Sequence, residues 1–356
     1  MRLIYCPVST DNKHLVNHYH PHCLFNPIRQ MPELLKTSVN VEYFADSGGY
    51  QLYRYNGNGT KRCLVVPAVG IKCSQDRLVI DPRDLCKRYD KLNIKFGFTL
   101  DHPLSDEPSK YEFVYNLAKS YRWANYMFEH RSKWCPHTEF LVPLHYSTKD
   151  ELHQYYDKMS QLNPNGYAFP VRGGFEHYWM VRIACTLSFL YSKGVQKVHM
   201  FGSSRREVIV IGAAAIGLGM FEQVSFDSRT WNTLLFDKRP KYFDPFTLKG
   251  KRIQNEKEIE ILLPSQLLQT GQYSAVNLNK TQREQLLMLH NAMAISHYTE
   301  NMANRAKEIG RFKQYLNEQR YLAAKKDRLL IAINILEQTV NSGYGFVQQW
   351  LKWIWK

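Results

Sequence analysis

Three aspartates each end a short apolar stretch that is typical of a β-strand. They are Asp46, Asp101 and Asp227, which end the predicted strands 41–46, 95–101 and 222–227. Aspartate is depleted inside strands, so three at equivalent positions favour a shared role. In a parallel barrel the carboxyl ends of all strands open on one face, where these side chains would converge. Converging carboxylates can serve as a nucleophile and as general acid or base. The alternative is that each one caps the helix that follows it.

The stretch 44–51, Phe-Ala-Asp-Ser-Gly-Gly-Tyr-Gln, adds a second feature next to Asp46. Its two glycines let a ligand approach the backbone closely, and Tyr50 offers a flat face to a planar group. An ordinary strand followed by a turn is the alternative interpretation.

The elements that must position these residues alternate between strands and helices. Further strands are predicted at 139–145, 166–171 and 196–201, and helices at 82–91, 109–131, 149–160, 176–193 and 205–219. Ser204 and Glu207 match a capping box at the start of the last helix. Because alternating strands and helices imply a parallel sheet, the sequence predicts an α/β fold with a (β/α)8 TIM-like barrel. Closing that barrel requires additional strands inside 1–40 or 60–80.

The net charge of the chain indicates which class of partner to expect. With 47 Lys and Arg against 32 Asp and Glu, the net charge is +15. This excess favours a polyanion such as nucleic acid, although basic enzymes without such a partner exist. Residues 1–280 are predicted to form the barrel and 281–356 a helical, basic region packed on it. Candidate contacts to a nucleic-acid backbone are Arg229, Lys325, Lys326 and Arg328, with a solvated helical face as the alternative for the last three.

Seven scattered cysteines, without a Cys-x-x-Cys pair, argue against a disulfide scaffold and for a reducing compartment. No long apolar run is present in the sequence, so neither a signal peptide nor a membrane span is predicted. We therefore expect a cytoplasmic protein that has no membrane partner.

Six segments, in order along the chain, resemble signatures of the tRNA/DNA-guanine transglycosylase superfamily. They are residues 44–51, 99–103, 166–176, 199–202, 224–228 and 289–291. The resemblance implies that Asp227 is the nucleophile and that Asp46 assists acid–base chemistry. It also implies a group of base-binding residues, of which the two aromatic ones stack on the base. These are Tyr50, Phe201, Asp101, His145, Gly173 and Gly202.

The implied reaction exchanges guanine in a polynucleotide for a free 7-deazaguanine base. A carboxylate nucleophile divides one displacement at the anomeric carbon into two steps through a covalent ester. A second acid handles the proton on the leaving and arriving bases. The nucleotide must leave its stack to be reached, and a basic surface suits the polynucleotide backbone.

The chain departs from the tRNA enzymes of this family at two places. Those enzymes hold a zinc with three closely spaced cysteines and the His of a Leu-His-Asn motif. His290 is present here, but no cysteine follows Cys185, so we predict that the zinc site is lost and that no cofactor is bound. Residues 251–275 are then expected to be held by ordinary packing. His145 stands where the family has a base-reading Gln-Gly.

The stretch 225–228 followed by Trp231 is more similar to the DNA-guanine transglycosylases. These are expected to place a 7-deazaguanine, such as 7-cyano-7-deazaguanine, into DNA. DNA and the free base are therefore the expected partners. A zinc-free tRNA-guanine transglycosylase and a barrel that binds nucleic acid without turnover are the alternatives.

One cluster near the N-terminus has no assigned role. It consists of His14, His18, His20, His22 and Cys23. Alternate histidines can line one face of an extended segment and bind a metal. A polar loop for substrate access and part of the nucleic-acid surface are the other interpretations.

Overall fold

The computed structural model describes residues 1–9, 16, 20–25, 41–48, 63–66, 70–73, 78–104, 108–171, 178–233, 241–253, 279–345 and 348. Its strands are, in chain order, β1 (Arg2–Ser9), β2 (His22–Phe25), β3 (Glu42–Ala45), β4 (Cys63–Val66), β5 (Gly70–Cys73), β6 (Leu78–Ile80), β7 (Phe96–Phe98), β8 (Glu139–Pro143), β9 (Gly166–Pro170), β10 (Lys197–Phe201), β11 (Gln223–Ser228), β12 (Lys241–Phe243) and β13 (Gly250–Arg252).

Eight of these strands form a closed barrel in which every neighbouring pair is parallel. Their order around the barrel is β1, β2, β3, β7, β8, β9, β10 and β11. Pairing of β11 with β1 closes the barrel and places Cys6 beside Asp227. The predicted α/β fold with a (β/α)8 TIM-like barrel is thus confirmed.

The two barrel strands that the sequence left unplaced are β1 and β2, both before residue 26. The described residues within 60–80, the other candidate region for them, form a separate antiparallel sheet of β4, β5 and β6. The six strands predicted by position all occur, each within one to three residues of its predicted ends.

The helices follow the barrel strands and pack around them. They are α1 (Pro82–Lys91), α2 (Lys110–Trp134), α3 (Lys149–Ser160), α4 (Trp179–Ser192), α5 (Arg206–Gly217), α6 (Thr230–Thr233), α7 (Lys280–Ala306), α8 (Ile309–Glu318) and α9 (Lys326–Ser342), with a 3-10 turn at Arg320–Lys325. Local capping fixes several starts: the side chains of Asp81, Ser109 and Thr148 each accept a hydrogen bond from a backbone N–H in the first turn.

The capping box predicted for α5 is wrong. The N-cap is Arg205, which makes no side-chain cap bond. The Ser204 hydroxyl accepts instead from the Ser228 hydroxyl, with 2.7 Å between the oxygens. The Glu207 carboxylate lies 2.9 Å from the Lys325 ammonium. Both side chains have stronger tertiary partners than the helix start, and these contacts tie α5 to β11 and to the C-terminal helices.

The C-terminal helices pack on the outside of the barrel. Helix α7 lies against α5 and β1, and α9 lies against α4 and α5. At Gly217 a side chain would clash with the backbone carbonyl of Ala306, so α5 and α7 approach closely there. The Thr339 hydroxyl of α9 donates to the Ser188 hydroxyl of α4 over 2.7 Å. Within the part of the chain that the structure describes, no helix is long and apolar enough to cross a membrane.

The barrel interior is filled by side chains rather than left as a channel. Fully buried aliphatic and aromatic residues occupy it, namely Ile4, Cys6, Leu24, Phe44, Phe96, Phe98, Leu141 and Ala168. Filled layers of this kind are usual in such barrels. The next residues along several of these strands emerge at the carboxyl-terminal mouth, where polar side chains replace apolar ones.

Candidate active site

The three predicted aspartates lie at the same mouth of the barrel. Asp46 directly follows β3, Asp101 lies three residues after the end of β7, and Asp227 is the last but one residue of β11. Burial raises the pKa of Asp46 to about 7, and the negative charges of Asp101 and Asp227 add to this rise, against hydrogen bonds from the backbone N–H groups of Gly48 and Ser47. Like charges act this way only over short distances. The three carboxyl groups therefore lie close enough to influence one another at this mouth.

Asp227 is held through one of its two carboxylate oxygens. Oδ1 accepts from the backbone N–H of Gly202 over 2.9 Å and lies 3.0 Å from Nε2 of His199. Gly202 has φ of +82°, a conformation that favours glycine, and this turn aims its N–H at the carboxylate. Both contacts involve Oδ1, so together they fix the orientation of this carboxylate.

His199 is itself fixed inside the barrel. Its side chain is fully buried and its Nδ1 lies 2.9 Å from the Ser225 hydroxyl. The rings of Phe98 and Phe201 pack on it, with centroids 4.8 and 4.9 Å away. A buried imidazole between a hydroxyl and a carboxylate keeps the carboxylate in one orientation.

Asp101 is bonded through both carboxylate oxygens. Ser47 donates its hydroxyl to Oδ1, and Nε2 of His145 lies 2.6 Å from Oδ2. Ser47 follows Asp46 directly, so this bond joins the ends of β3 and β7. His145 comes from the loop after β8. The predicted pair Asp101 and His145 is therefore one hydrogen-bonded unit at the mouth.

Phe201 ends β10 at the edge of the same site. Its ring lies edge-on to Phe98, 4.7 Å between centroids, and it is partly exposed. A ring supported from below and open on one side is suited to stacking on a planar ligand.

Tyr89 of α1 supports the strand ends from outside the barrel. Its hydroxyl donates to the Phe98 carbonyl over 2.7 Å and lies 3.4 Å from the carbonyl oxygens of Ala45 and Asp46. The ring fits because residue 97 is glycine, where any side chain would clash with Tyr89. This packing fixes β3 and β7 relative to each other just below Asp46 and Asp101.

The remaining predicted site residues divide into two groups. Tyr50 and Gly173 lie outside the described residues, so their places in the site stay predictions.

Arg229, a predicted backbone contact, is exposed two residues after Asp227, at the mouth. Arg328 is also exposed, whereas Lys325 pairs with Glu207 and Lys326 donates to the Asn317 carbonyl over 3.4 Å. Two of the predicted backbone contacts therefore already have partners within the protein.

His290, which the resemblance likens to the histidine of a zinc site, makes structural contacts. Its Nε2 lies 3.1 Å from the Phe243 carbonyl, and Asn291 accepts from the Phe243 backbone N–H over 2.9 Å. These bonds hold the β12–β13 hairpin on α7. Among the described residues, no group of three or more His, Cys, Asp or Glu side chains is arranged to hold a metal. Most of 251–275 lies outside the described ranges, so its packing stays a prediction.

His20 and Cys23, two of the three described members of the histidine cluster, are built into the barrel wall. His20 is fully buried, and its Nε2 lies 2.8 Å from the Ser296 hydroxyl of α7; burial lowers its pKa to about 3. Cys23 is buried and donates its thiol to the Pro7 carbonyl. Both face packed structure, so these two residues are not part of a nucleic-acid surface. His14 and His18 lie outside the described residues.

Sequence reasoning missed His199 as a functional side chain. Its partners Ser225 and Asp227 lie on the neighbouring strand, more than 25 residues away. The only local signal is its position two residues before Phe201, which places both side chains on the inner face of β10. Comparison of this chain with protein-family models and with curated proteins found no match.

Proposed function

We propose that this protein is a base-exchange transglycosylase that replaces guanine in DNA with a 7-deazaguanine, such as 7-cyano-7-deazaguanine. The observation that carries the proposal is the contrast between Asp227 and Asp46 at one barrel mouth. Asp227 has Oδ1 fixed by His199 and Gly202, and among the described residues no hydrogen bond to its Oδ2 is found. Asp46 keeps its proton up to about pH 7. The pair thus offers a nucleophile and a general acid in one site.

In the first step, Oδ2 of Asp227 attacks the anomeric carbon of the target nucleotide. The carbon–nitrogen bond to guanine breaks, a carbon–oxygen ester bond forms, and the proton of Asp46 passes to the leaving base. Oδ1 becomes the ester carbonyl and remains within reach of His199 and Gly202. These donors stabilise the carboxylate whenever it carries charge.

In the second step, an incoming 7-deazaguanine attacks the same carbon. Asp46, now ionised, takes the proton from the ring nitrogen of the incoming base, and the ester bond to Asp227 breaks. The enzyme returns to its starting protonation state, because the proton lost by Asp46 in the first step is regained in the second. No oxidant, reductant or further co-reactant is needed.

The base would be held by the groups at the edge of the mouth. Phe201 supplies a ring for stacking, and Asp101 with His145 supplies acceptors and a donor for the base edge. Because both Asp101 oxygens are already bonded to the protein, this carboxylate is preorganised and its remaining lone pairs have fixed directions.

DNA is favoured over tRNA by the resemblance at 225–228 and by the absence of any cysteine after Cys185. The net charge of +15 fits either polyanion. A zinc-free tRNA-guanine transglycosylase is the second candidate.

The test is incubation of the protein with labelled guanine and either duplex DNA or tRNA, with 7-deazaguanine bases supplied in parallel. We expect DNA to retain label and the Asp227→Asn variant to incorporate none. Label in tRNA alone would establish the second candidate. Binding without exchange on either polymer, under all base and salt conditions, would show a barrel that binds nucleic acid without turnover.

A further inference from the structure

The start of α2 carries a group of exposed apolar side chains, two of them aromatic, next to the candidate site. Tyr111 is 79% exposed, Val114 is 54% exposed and Tyr115 is 40% exposed. Large apolar side chains at such exposure are unusual when they cluster. Tyr111 and Tyr115 are four residues apart, so they lie on the same side of the helix. We call these two residues the tyrosine pair.

The rings of the tyrosine pair are arranged as a stack. Their centroids are 6.3 Å apart and their planes differ by 18°. The His102 ring meets Tyr115 edge-on, with 6.1 Å between centroids, and the His102 backbone N–H donates to Ser120 of α2 over 2.9 Å. Since His102 follows Asp101 directly, a continuous run of rings leads from the carboxylate site to the outer surface.

Basic side chains lie in the same part of α2 as these rings. The Lys119 ammonium lies 5.5 Å from the centre of the Tyr115 ring. Between Lys110 and Arg122 the helix has three basic residues, Lys110, Lys119 and Arg122, against one acid, Glu112. Flat exposed rings beside cations are the combination that binds single-stranded nucleic acid, in which bases stack on the rings and phosphates meet the cations.

We infer that the tyrosine pair is a stacking platform for unpaired DNA nucleotides next to the target nucleotide. This inference rests on the proposed function for its choice of DNA. A base can stack on a side chain only when it has left the double helix, because both of its faces are covered inside the duplex. A target base drawn into the barrel mouth unstacks its neighbours, and the ring contacts from His102 to Tyr115 and Tyr111 place the tyrosine pair within reach of those neighbours. The platform therefore recognises strand opening rather than sequence.

The experiment measures binding of short fluorescein-labelled DNA by anisotropy, in the Asp227→Asn background so that no exchange occurs. We expect Tyr111→Ala/Tyr115→Ala to bind single-stranded DNA about tenfold or more weakly and to bind fully paired duplex as the parent does. Tyr111→Phe/Tyr115→Phe should restore single-strand binding, whereas the corresponding double change to Leu should not. A strand with abasic sites should lose the difference between parent and Ala variant.

Tyr126 provides the matched control. It is an exposed tyrosine of the same helix, 37% exposed, but it lies about 16 Å further along α2 and packs on His130. We expect Tyr126→Ala to bind single-stranded DNA as the parent does.

Equal binding by the Ala double variant and the parent would overturn the inference, as would full binding by the Leu variant or an equal loss in Tyr126→Ala. A tyrosine-dependent preference for RNA over DNA would also overturn it. Failure of the proposed function is recognised separately, because it appears as missing base exchange in the unmodified protein, whatever the anisotropy shows.

Discussion

Asp227 and Asp46 carry the same functional group in different surroundings. Asp227 accepts hydrogen bonds from a buried histidine and a backbone N–H. Asp46 faces two other carboxyl groups, and its pKa is raised to about 7. The sequence predicts both at strand ends, but only their neighbours distinguish them, and this difference supports the proposal that one attacks and the other transfers a proton.

The first residue-scale prediction separates these roles. Asp227→Asn should abolish both base exchange and the covalent protein–DNA adduct, because the amide cannot form the ester. Asp46→Asn should slow exchange strongly while leaving an adduct detectable with a substrate whose leaving group needs no proton. Denaturing gel electrophoresis with labelled DNA measures the adduct. If the adduct survives in Asp227→Asn and is lost in Asp46→Asn, the two roles must be exchanged.

The second residue-scale prediction concerns stability and pH. The pKa of Asp46 is about 3.8 in the unfolded chain, and burial raises it to about 7 in the folded protein. Its contribution to stability is therefore fully present below about pH 4 and is lost as the pH rises through 7. Asp46→Asn cannot ionise, so above pH 7 it should be more stable than the parent, by an amount on the order of 1–4 kcal/mol.

Urea unfolding at pH 5 and at pH 8 measures this difference. The gain in Asp46→Asn should be small at pH 5 and larger at pH 8. Asp157→Asn on the exposed face of α3 is the control, and its effect should be the same at both values. A gain in Asp46→Asn that does not depend on pH would contradict the prediction.

At the scale of elements, helices α5 and α7 pack closely against each other at Gly217. Gly217→Ala should destabilise the fold by about 1–3 kcal/mol, because the new methyl group would meet the Ala306 carbonyl and the helices would have to separate. Gly310→Ala in α8 is the matched control, since open space surrounds that position. It should stabilise the protein by about 0.5–1 kcal/mol through helix propensity. Thermal unfolding of both variants checks the pair, and equal effects would contradict it.

Local sequence signals predicted most of the elements. Helices α1 and α3 begin and end at the predicted residues, because Asp81 and Thr148 cap them from the chain itself. Strands β1 and β2 were not located by their own pattern, and their places become clear only from their pairing with β11 and β3 in the closed barrel. The predicted capping box of α5 failed because Ser204 and Glu207 bind β11 and the C-terminal helices, contacts that no local pattern contains.

The candidate site likewise combines residues that local sequence predicts with residues that only tertiary contacts reveal. The aspartates were predictable, because each ends an apolar run whose direction in a parallel barrel is fixed. His199 and Ser47 were not, because their roles depend on partners brought together by the register between strands. Long-range register is set by closure of the whole barrel, and a single segment carries no information about it.

At the scale of the whole molecule, the charge of +15 predicts a strongly salt-dependent interaction with DNA. Log affinity for duplex DNA should fall by about 0.9 per phosphate contact for each tenfold rise in salt. Arg229→Gln should reduce this slope by about one contact and lower the affinity for all sequences alike. Lys133→Gln, near the other end of α2, should leave the slope unchanged. Titrations over a range of salt concentrations measure both.

A charge reversal at Lys325 would be difficult to interpret in such titrations. Reversing the charge of Lys325 would place two negative groups together, since the lysine pairs with Glu207. Loss of binding in that variant would mix a weaker phosphate contact with a disturbed α5. Arg328→Gln avoids this, and it should lower affinity without changing base exchange at saturating DNA.

The filled interior of the barrel has a kinetic consequence. Phe44, Phe98 and His199 lie beneath the carboxylates with their rings packed together, so within the described residues this layer closes the barrel interior below the mouth. Under the proposed base exchange, the outgoing guanine and the incoming 7-deazaguanine would have to occupy the same place in turn. We then expect ping-pong kinetics, in which the first product leaves before the second substrate arrives. Free guanine and free 7-deazaguanine would compete for one binding place, and the ratio of their concentrations would influence which base the DNA finally keeps.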